Sequence, residues 1–240
     1  MRGIGLLISV ALVVGGASSA LAQGPAERET GTIVSRGSAA RHSDRPGLSK
    51  EAQGRILAYR FANCVVDRRS SDAKAYIDAQ YGSPEAFAIL NRLVKSRDEC
   101  LYSGKLRTPT SLLRGAIFRS AYVRDFGRGQ LAMAEAAPNH AEIMGGTPNE
   151  LAIQHAMLLD FGSCLTRAEP EAARRFVLAE PASGMEDEAL SKLAPKMGAC
   201  LQQGSTAKFN RSSVNAILAE AIYREAQAGQ ASLAALSGKQ

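Results

Sequence analysis

Cys64, Cys100, Cys164 and Cys200 fall on a regular lattice that restricts what this chain can fold into. The members of each successive pair stand 36 residues apart, and the two pairs are offset by 100. A spacing that recurs favours the connectivity that recurs with it, Cys64–Cys100 and Cys164–Cys200. A four-thiolate zinc site needs closely spaced C-x-x-C-type pairs, and a dithiol redox centre needs C-x-x-C. Neither is present.

The lattice belongs to a wider self-similarity. Sliding residues 61–104 along by 100 superposes Phe61 on Phe161, Cys64 on Cys164, Ala73 on Ala173, Ala79 on Ala179 and Ser83 on Ser183. Leu90/Leu190, Leu93/Leu193, Cys100/Cys200, Leu101/Leu201 and Gly104/Gly204 extend the identities. Val65/Leu165, Tyr76/Phe176, Ile77/Val177 and Arg92/Lys192 are conservative pairs, and after one inserted residue Tyr122 meets Tyr223. The period is about three times that of an ankyrin or TPR unit, so the pattern reads as a duplicated module rather than a repeat array.

Apolar spacing predicts four helices in each copy. In the first, Leu57, Phe61, Cys64 and Val65 share one helical face behind Ser49 as cap, and Ala73, Tyr76, Ile77 and Gln80 mark a short second helix. Ser83-Pro84-Glu85 starts a third helix with Phe87, Leu90, Leu93, Val94 and Leu101 on its stripe. Leu113, Ala116, Ile117, Ala121 and Tyr122 mark a fourth. In the second copy Thr147-Pro148-Asn149-Glu150 reads as a capping box, ahead of Leu151, Leu158, Phe161, Cys164 and Leu165. Ala173, Phe176 and Val177 follow, then Leu190, Leu193, Met197 and Leu201, with Pro195 expected to kink that helix. Val214, Ile217, Leu218, Ala221 and Ile222 line the last. No run of alternating β-branched residues suggests a strand. The expected fold is all-α: two tandem four-helix modules, each burying its own apolar stripe behind one disulfide.

The N-terminus reads as an export signal. Arg2, the apolar run Ile4–Val14 and Ala20-Leu21-Ala22 match the charged, apolar and A-x-A regions of a signal peptide, with cleavage expected after Ala22. The apolar run is short of the ~20 residues a spanning helix needs. The expected organisation is signal peptide 1–22, disordered lead-in 23–48, repeat 49–128, linker 129–147 with a helical turn near Leu131–Ala136, repeat 148–228 and flexible tail 229–240. A periplasmic or secreted location follows, where structural disulfides persist.

Composition points to a globular chain, with 45% hydrophobic and 22% charged residues. The net charge of +6 is too mild for nucleic-acid binding. Basic residues dominate up to residue 128 and acidic ones beyond it. Arg68, Arg69, Arg92, Lys95 and Arg97, with Arg114 and Arg119, are candidates for a face toward an anionic envelope partner. Among the histidines, His42 falls in the lead-in and His140 in the linker, and His155 reads as a packing residue. Gly162-Ser163-Cys164 lies mid-helix without the sharp turn of a nucleophile elbow. Glu186-Asp187-Glu188 reads as anions at a helix N-terminus rather than a metal cluster. No metal, cofactor or catalytic motif is present. The sequence lacks tryptophan and holds only 5% aromatic residues, against a glycan cleft.

The elements F-x-x-C and C-L-x-x-G, at Phe61/Cys64/Cys100-Leu101/Gly104 and Phe161/Cys164/Cys200-Leu201/Gly204, together with Ala221-Ile222-Tyr223, carry a resemblance. The pattern is similar to small exported helical proteins of sphingomonad-type Alphaproteobacteria and covers both copies. The resemblance implies no activity. The reading that follows is an exported, non-enzymatic interaction or structural module for a protein or envelope component. The alternatives are an envelope hydrolase with distant carboxylates and a binder of anionic envelope components.

Overall fold

The computed structural model describes residues 33–34, 47–95, 100–101, 106–127, 130–143, 149–201 and 208–237. The expected signal peptide at 1–22, nearly all of the lead-in, and Arg97 lie outside the described residues. The described chain is all-α, with helices α1 Lys50–Arg68, α2 Ser70–Asp78, α3 Pro84–Lys95, α4 Thr110–Phe126, α5 His140–Ile143, α6 Glu150–Ala168, α7 Pro170–Leu178, α8 Gly184–Cys200 and α9 Arg211–Ser237. Among the described residues, strand pairing is confined to two antiparallel dipeptides, β1 Ile33–Val34 and β2 Leu106–Arg107. None of the helices is long and apolar enough to cross a membrane. The bounds of α1 and α2 recur, 100 residues on, in α6 and α7.

The helix starts follow from their caps. Ser49 accepts from Ala52 N at 3.1 Å, Ser83 from Ala86 N at 3.0 Å, and Ser183 from Glu186 N at 3.2 Å. The cap of α6 is Asn149, which accepts from Ala152 N at 2.9 Å. That places the start two residues after the Thr147 expected from the capping-box pattern, at the position equivalent to Ser49. The linker differs too. Gln130–Asn139 is not helical, and the short helix comes only after Pro138-Asn139, where the Asn139 side chain caps Ala141 N at 3.1 Å. Arg167 ties the non-helical stretch down through the carbonyls of Ala134, Glu135 and Ala136. Residues 229–237, expected as a flexible tail, continue α9. Alanine, leucine and glutamine favour the helix there, and Gly229 lets it pass hard against the backbone of Ala132. Likewise α8 runs on through Pro195.

Both disulfides have the expected connectivity, Cys64–Cys100 and Cys164–Cys200, each with Cα atoms 5.6 Å apart. Each ties the end of a first helix to the end of the corresponding third segment.

The core does not divide at the linker. One buried cluster runs through Phe61, Val65, Tyr76, Leu93, Ile117 and Phe118 on one side and Leu165, Phe176, Leu193, Leu218 and Ile222 on the other. The helices form a row in which α1 packs on α4, α4 on α9 and α9 on α6, with α4 against α9 the most extensive contact. At their crossing a Cβ on Gly115 would fall 2.4 Å from Ala216 Cα, so only glycine admits this approach. The expectation of separately buried stripes gives way here because α4 and α9 are buried on nearly every face and each is covered from both sides.

Polar groups stitch the same seam. Tyr59 donates to Asn215 Oδ1 at 2.7 Å, and Asn215 Nδ2 donates to the Phe176 carbonyl at 3.0 Å. Arg119 donates to the carbonyls of Val177 and Leu178 at the end of α7, and Arg224 to that of Ile77 at the end of α2. In each case a cation meets the negative end of a helix from the other half. Buried Arg55 pairs with buried Glu186, whose Oε2 also accepts from Ala182 N at 2.7 Å.

Two outcomes test this architecture. Replacing Cys64 and Cys100 by alanine is expected to cost about 3–4 kcal/mol in a chain-entropy account, read by denaturant unfolding under non-reducing conditions. An unchanged midpoint would contradict it. Gly115→Ala is expected to lose roughly 1–3 kcal/mol through overpacking, whereas Gly184→Ala, with no neighbour within 4 Å of its Cβ, should lose nothing. Equal thermal stability of the two variants would count against the crossing.

Candidate binding groove

A charge inside an apolar helix needs a partner. In α4 and α9 those charges are Arg114 and Glu220, each 2% exposed. Arg114 Nε donates to Glu220 Oε2 and Nη2 to Oε1, both at 2.7 Å. His155 Nε2, from α6, donates to Oε2 at 2.9 Å, and Arg224 Nη2 to Oε1 at 3.3 Å. A carboxylate offers about four lone-pair sites, so Glu220 is saturated. Burial pushes its pKa up, but Arg114 and His155 outweigh that and hold it well below the usual carboxylate range. On Arg114 burial works against the charge, and Glu220 and then Tyr76 more than restore it. The guanidinium sits 4.8 Å from the ring centroid of Phe118, 5.2 Å from that of Tyr81 and 5.3 Å from that of Tyr76. His155 stacks on Tyr81, with centroids 4.0 Å apart.

Above this cluster a cavity of about 210 Å³ opens between α4, α6 and α9. Arg114, Glu220 and His155 line it together with apolar Tyr81, Leu151, Leu158 and Ile217, and Ser111, Gln154 and Ser213 supply further polar groups. A second, more apolar cavity of about 150 Å³, lined by Tyr76, Ala86, Phe87 and Leu90, shares Tyr81 and Leu151 with the first. The two adjoin at these shared residues and together make up the candidate groove. Leu151, Leu158 and Phe87, read from the sequence as core stripe residues, are exposed by 51%, 37% and 47%. The buried faces of their helices fall instead on Ala152, Ala156 and Leu159, and on Ala86, Ile89, Leu90 and Leu93. Val94 is exposed as well.

The expected basic face is divided. Arg68 and Lys95 are exposed. Arg69 and Arg92 converge on one carboxylate, Asp72, at 2.7 Å and 3.2 Å. Arg114 and Arg119 do not belong to that face, being buried in the seam. In the acidic triplet, Glu186 donates its backbone N–H to the Ser183 cap, accepts from Ala182 N and pairs with Arg55, Asp187 pairs with Arg211, and Glu188 with Lys192. Among the described residues no three His, Cys, Asp or Glu side chains are grouped to hold a metal ion.

One constellation was not legible in the sequence. His140 Nδ1 lies 2.8 Å from Asp160 Oδ1, and its Nε2 lies 3.4 Å from Ser163 Oγ. The order of types is that of an acyl-transfer triad. Ser163 and His140 are both buried, however, and neither lines the groove. Their packing fixes α5 on α6. Comparison of the chain with protein-family models, curated proteins and solved structures gave no match.

Glu220 carries a test with a definite sign. Its folded pKa is depressed, so its contribution is full above the unfolded value near ~4.3 and fades as pH falls through the folded pKa. Glu220→Gln leaves Arg114 and Arg224 without their shared counter-charge and should lose about 3–5 kcal/mol near neutrality. The stability gap between wild type and variant should narrow as pH drops below ~4.3. A gap independent of pH would contradict the assignment.

Proposed function

We propose that this protein is an exported, non-enzymatic binding module, built from two four-helix units of common descent, that holds a small apolar-bodied ligand in the groove between α4, α6 and α9. The observation that carries the reading is the groove itself. Leu151, Leu158 and Phe87 stay exposed where they line two adjoining cavities, one of them above a charged floor. Concave, largely apolar sites with a few polar anchors are the usual form of a ligand site.

A hydrolytic reading is less well supported. Such chemistry needs a carboxyl or imidazole free to exchange a proton. The one carboxylate of the groove, Glu220, accepts from four donors and is held ionised. An anionic-partner face also has weaker support, because Arg69 and Arg92 share Asp72. Export is supported by the signal-peptide pattern at residues 1–22, and by the pairing of all four cysteines, which suits an oxidising compartment.

Nile red, an uncharged dye that brightens in apolar surroundings, should bind the oxidised protein saturably with one-to-one stoichiometry. Leu151→Arg should abolish that signal while leaving the circular dichroism spectrum intact. Equal dye binding by wild type and variant, or none by wild type, would refute the proposal.

A further inference from the structure

We infer that the ligand of this groove is a monoanionic amphiphile, a carboxylate on a medium-length apolar body, with its head group on Arg114. This inference rests on the binding reading above and adds the chemistry of the ligand. Its first support is a charge imbalance. Two buried guanidiniums, Arg114 and Arg224, share the single carboxylate of Glu220, and the other titratable groups facing it, His155, Tyr76 and Tyr81, add no negative charge. The floor therefore carries at least one positive charge in excess, in surroundings where an unbalanced charge is costly.

The second support is an unfilled donor. Arg114 lines the cavity and is 2% exposed, yet its Nη1 meets no acceptor in hydrogen-bond geometry. The Tyr76 hydroxyl lies close enough to help hold the guanidinium proton but does not fill that position. Glu220 would repel an approaching anion if it had lone pairs to spare, but its four donors already neutralise it. Ser111, which also lines the first cavity, supplies a neutral donor for a second carboxylate oxygen. Charge-assisted bonds of this kind are shorter and stronger than neutral ones.

Shape fixes the remainder of the ligand. On the other side of Tyr81 and Leu151 lies the cavity lined by Phe87 and Leu90, where an apolar body would displace water from exposed carbon surface.

The test uses the oxidised full-length mature protein and three probes of equal chain length, octanoate, octanol and octylamine, titrated against bound Nile red at neutral pH. Octanoate should displace the dye about tenfold or more tightly than octanol, the scale of one charge-assisted hydrogen bond, and octylamine should not compete. Arg114→Gln, with its fold checked by circular dichroism, should bring octanoate to the level of octanol. Should that variant not fold, the wild-type series decides alone. Octanol competing as well as octanoate, or octylamine competing best, would overturn the carboxylate assignment and leave the groove reading standing. Dye binding that none of the three displaces would overturn this inference, while failure of the dye itself to bind would remove the groove reading beneath it.

Discussion

The close crossing of α4 and α9 governs the rest of the molecule. At Gly115 the two helices approach until one backbone touches the other, and nothing larger than hydrogen fits. The approach brings Arg114 within reach of Glu220 and Arg119 within reach of the end of α7. In return it brings Arg224 to the end of α2. Each half thereby supplies the charge that completes a helix terminus of the other. A side chain at residue 115 would press the helices apart and strain these buried pairings together.

Burying so many charges is an unusual way to hold a small helical protein together. Arg55, Arg114 and Arg224 are each 9% exposed or less and are matched by Glu186 and Glu220. Apolar residues of similar volume would often give equal or greater stability. What the ion pairs add is a unique register, since a slip of one turn between α4 and α9 would strand Arg114 and Glu220. They also leave a polar floor beneath an apolar groove, which an all-hydrocarbon seam would not provide. The two halves differ at that floor. Where α1 carries Arg55, paired with Glu186, α6 carries His155, stacked on Tyr81 and bonded to Glu220.

Much of this fold was legible in the sequence because it depends on local signals. The cysteine spacing gave the right disulfides, and the punctuation at Ser49 and Ser83 gave the right helix starts. The buried faces of α4 and α9 at Ala116, Ile117, Leu218 and Ile222 were also readable. The seam was harder, because periodicity identifies an apolar face without naming what covers it. Arg114 and Arg119 read as surface cations by type, although Leu112, Leu113, Ile117 and Phe118 surround them on every side. That uninterrupted apolar setting was the available signal, as it was for Glu220 between Leu218 and Ile222. Leu151, Leu158 and Phe87 misled in the opposite sense, since an apolar residue at helical spacing is assigned to the core unless the far side of the helix is known to be open. The pairing of His140 with Asp160 and Ser163 depends on how the linker folds back, which no local pattern encodes.

The central claim is that the two halves share one core and fold as one body. Differential scanning calorimetry of the oxidised chain tests it most directly. A single transition whose calorimetric and van't Hoff enthalpies agree is the expected result. Two separable transitions, or a calorimetric enthalpy about twice the van't Hoff value, would show two independently folding units and contradict the account.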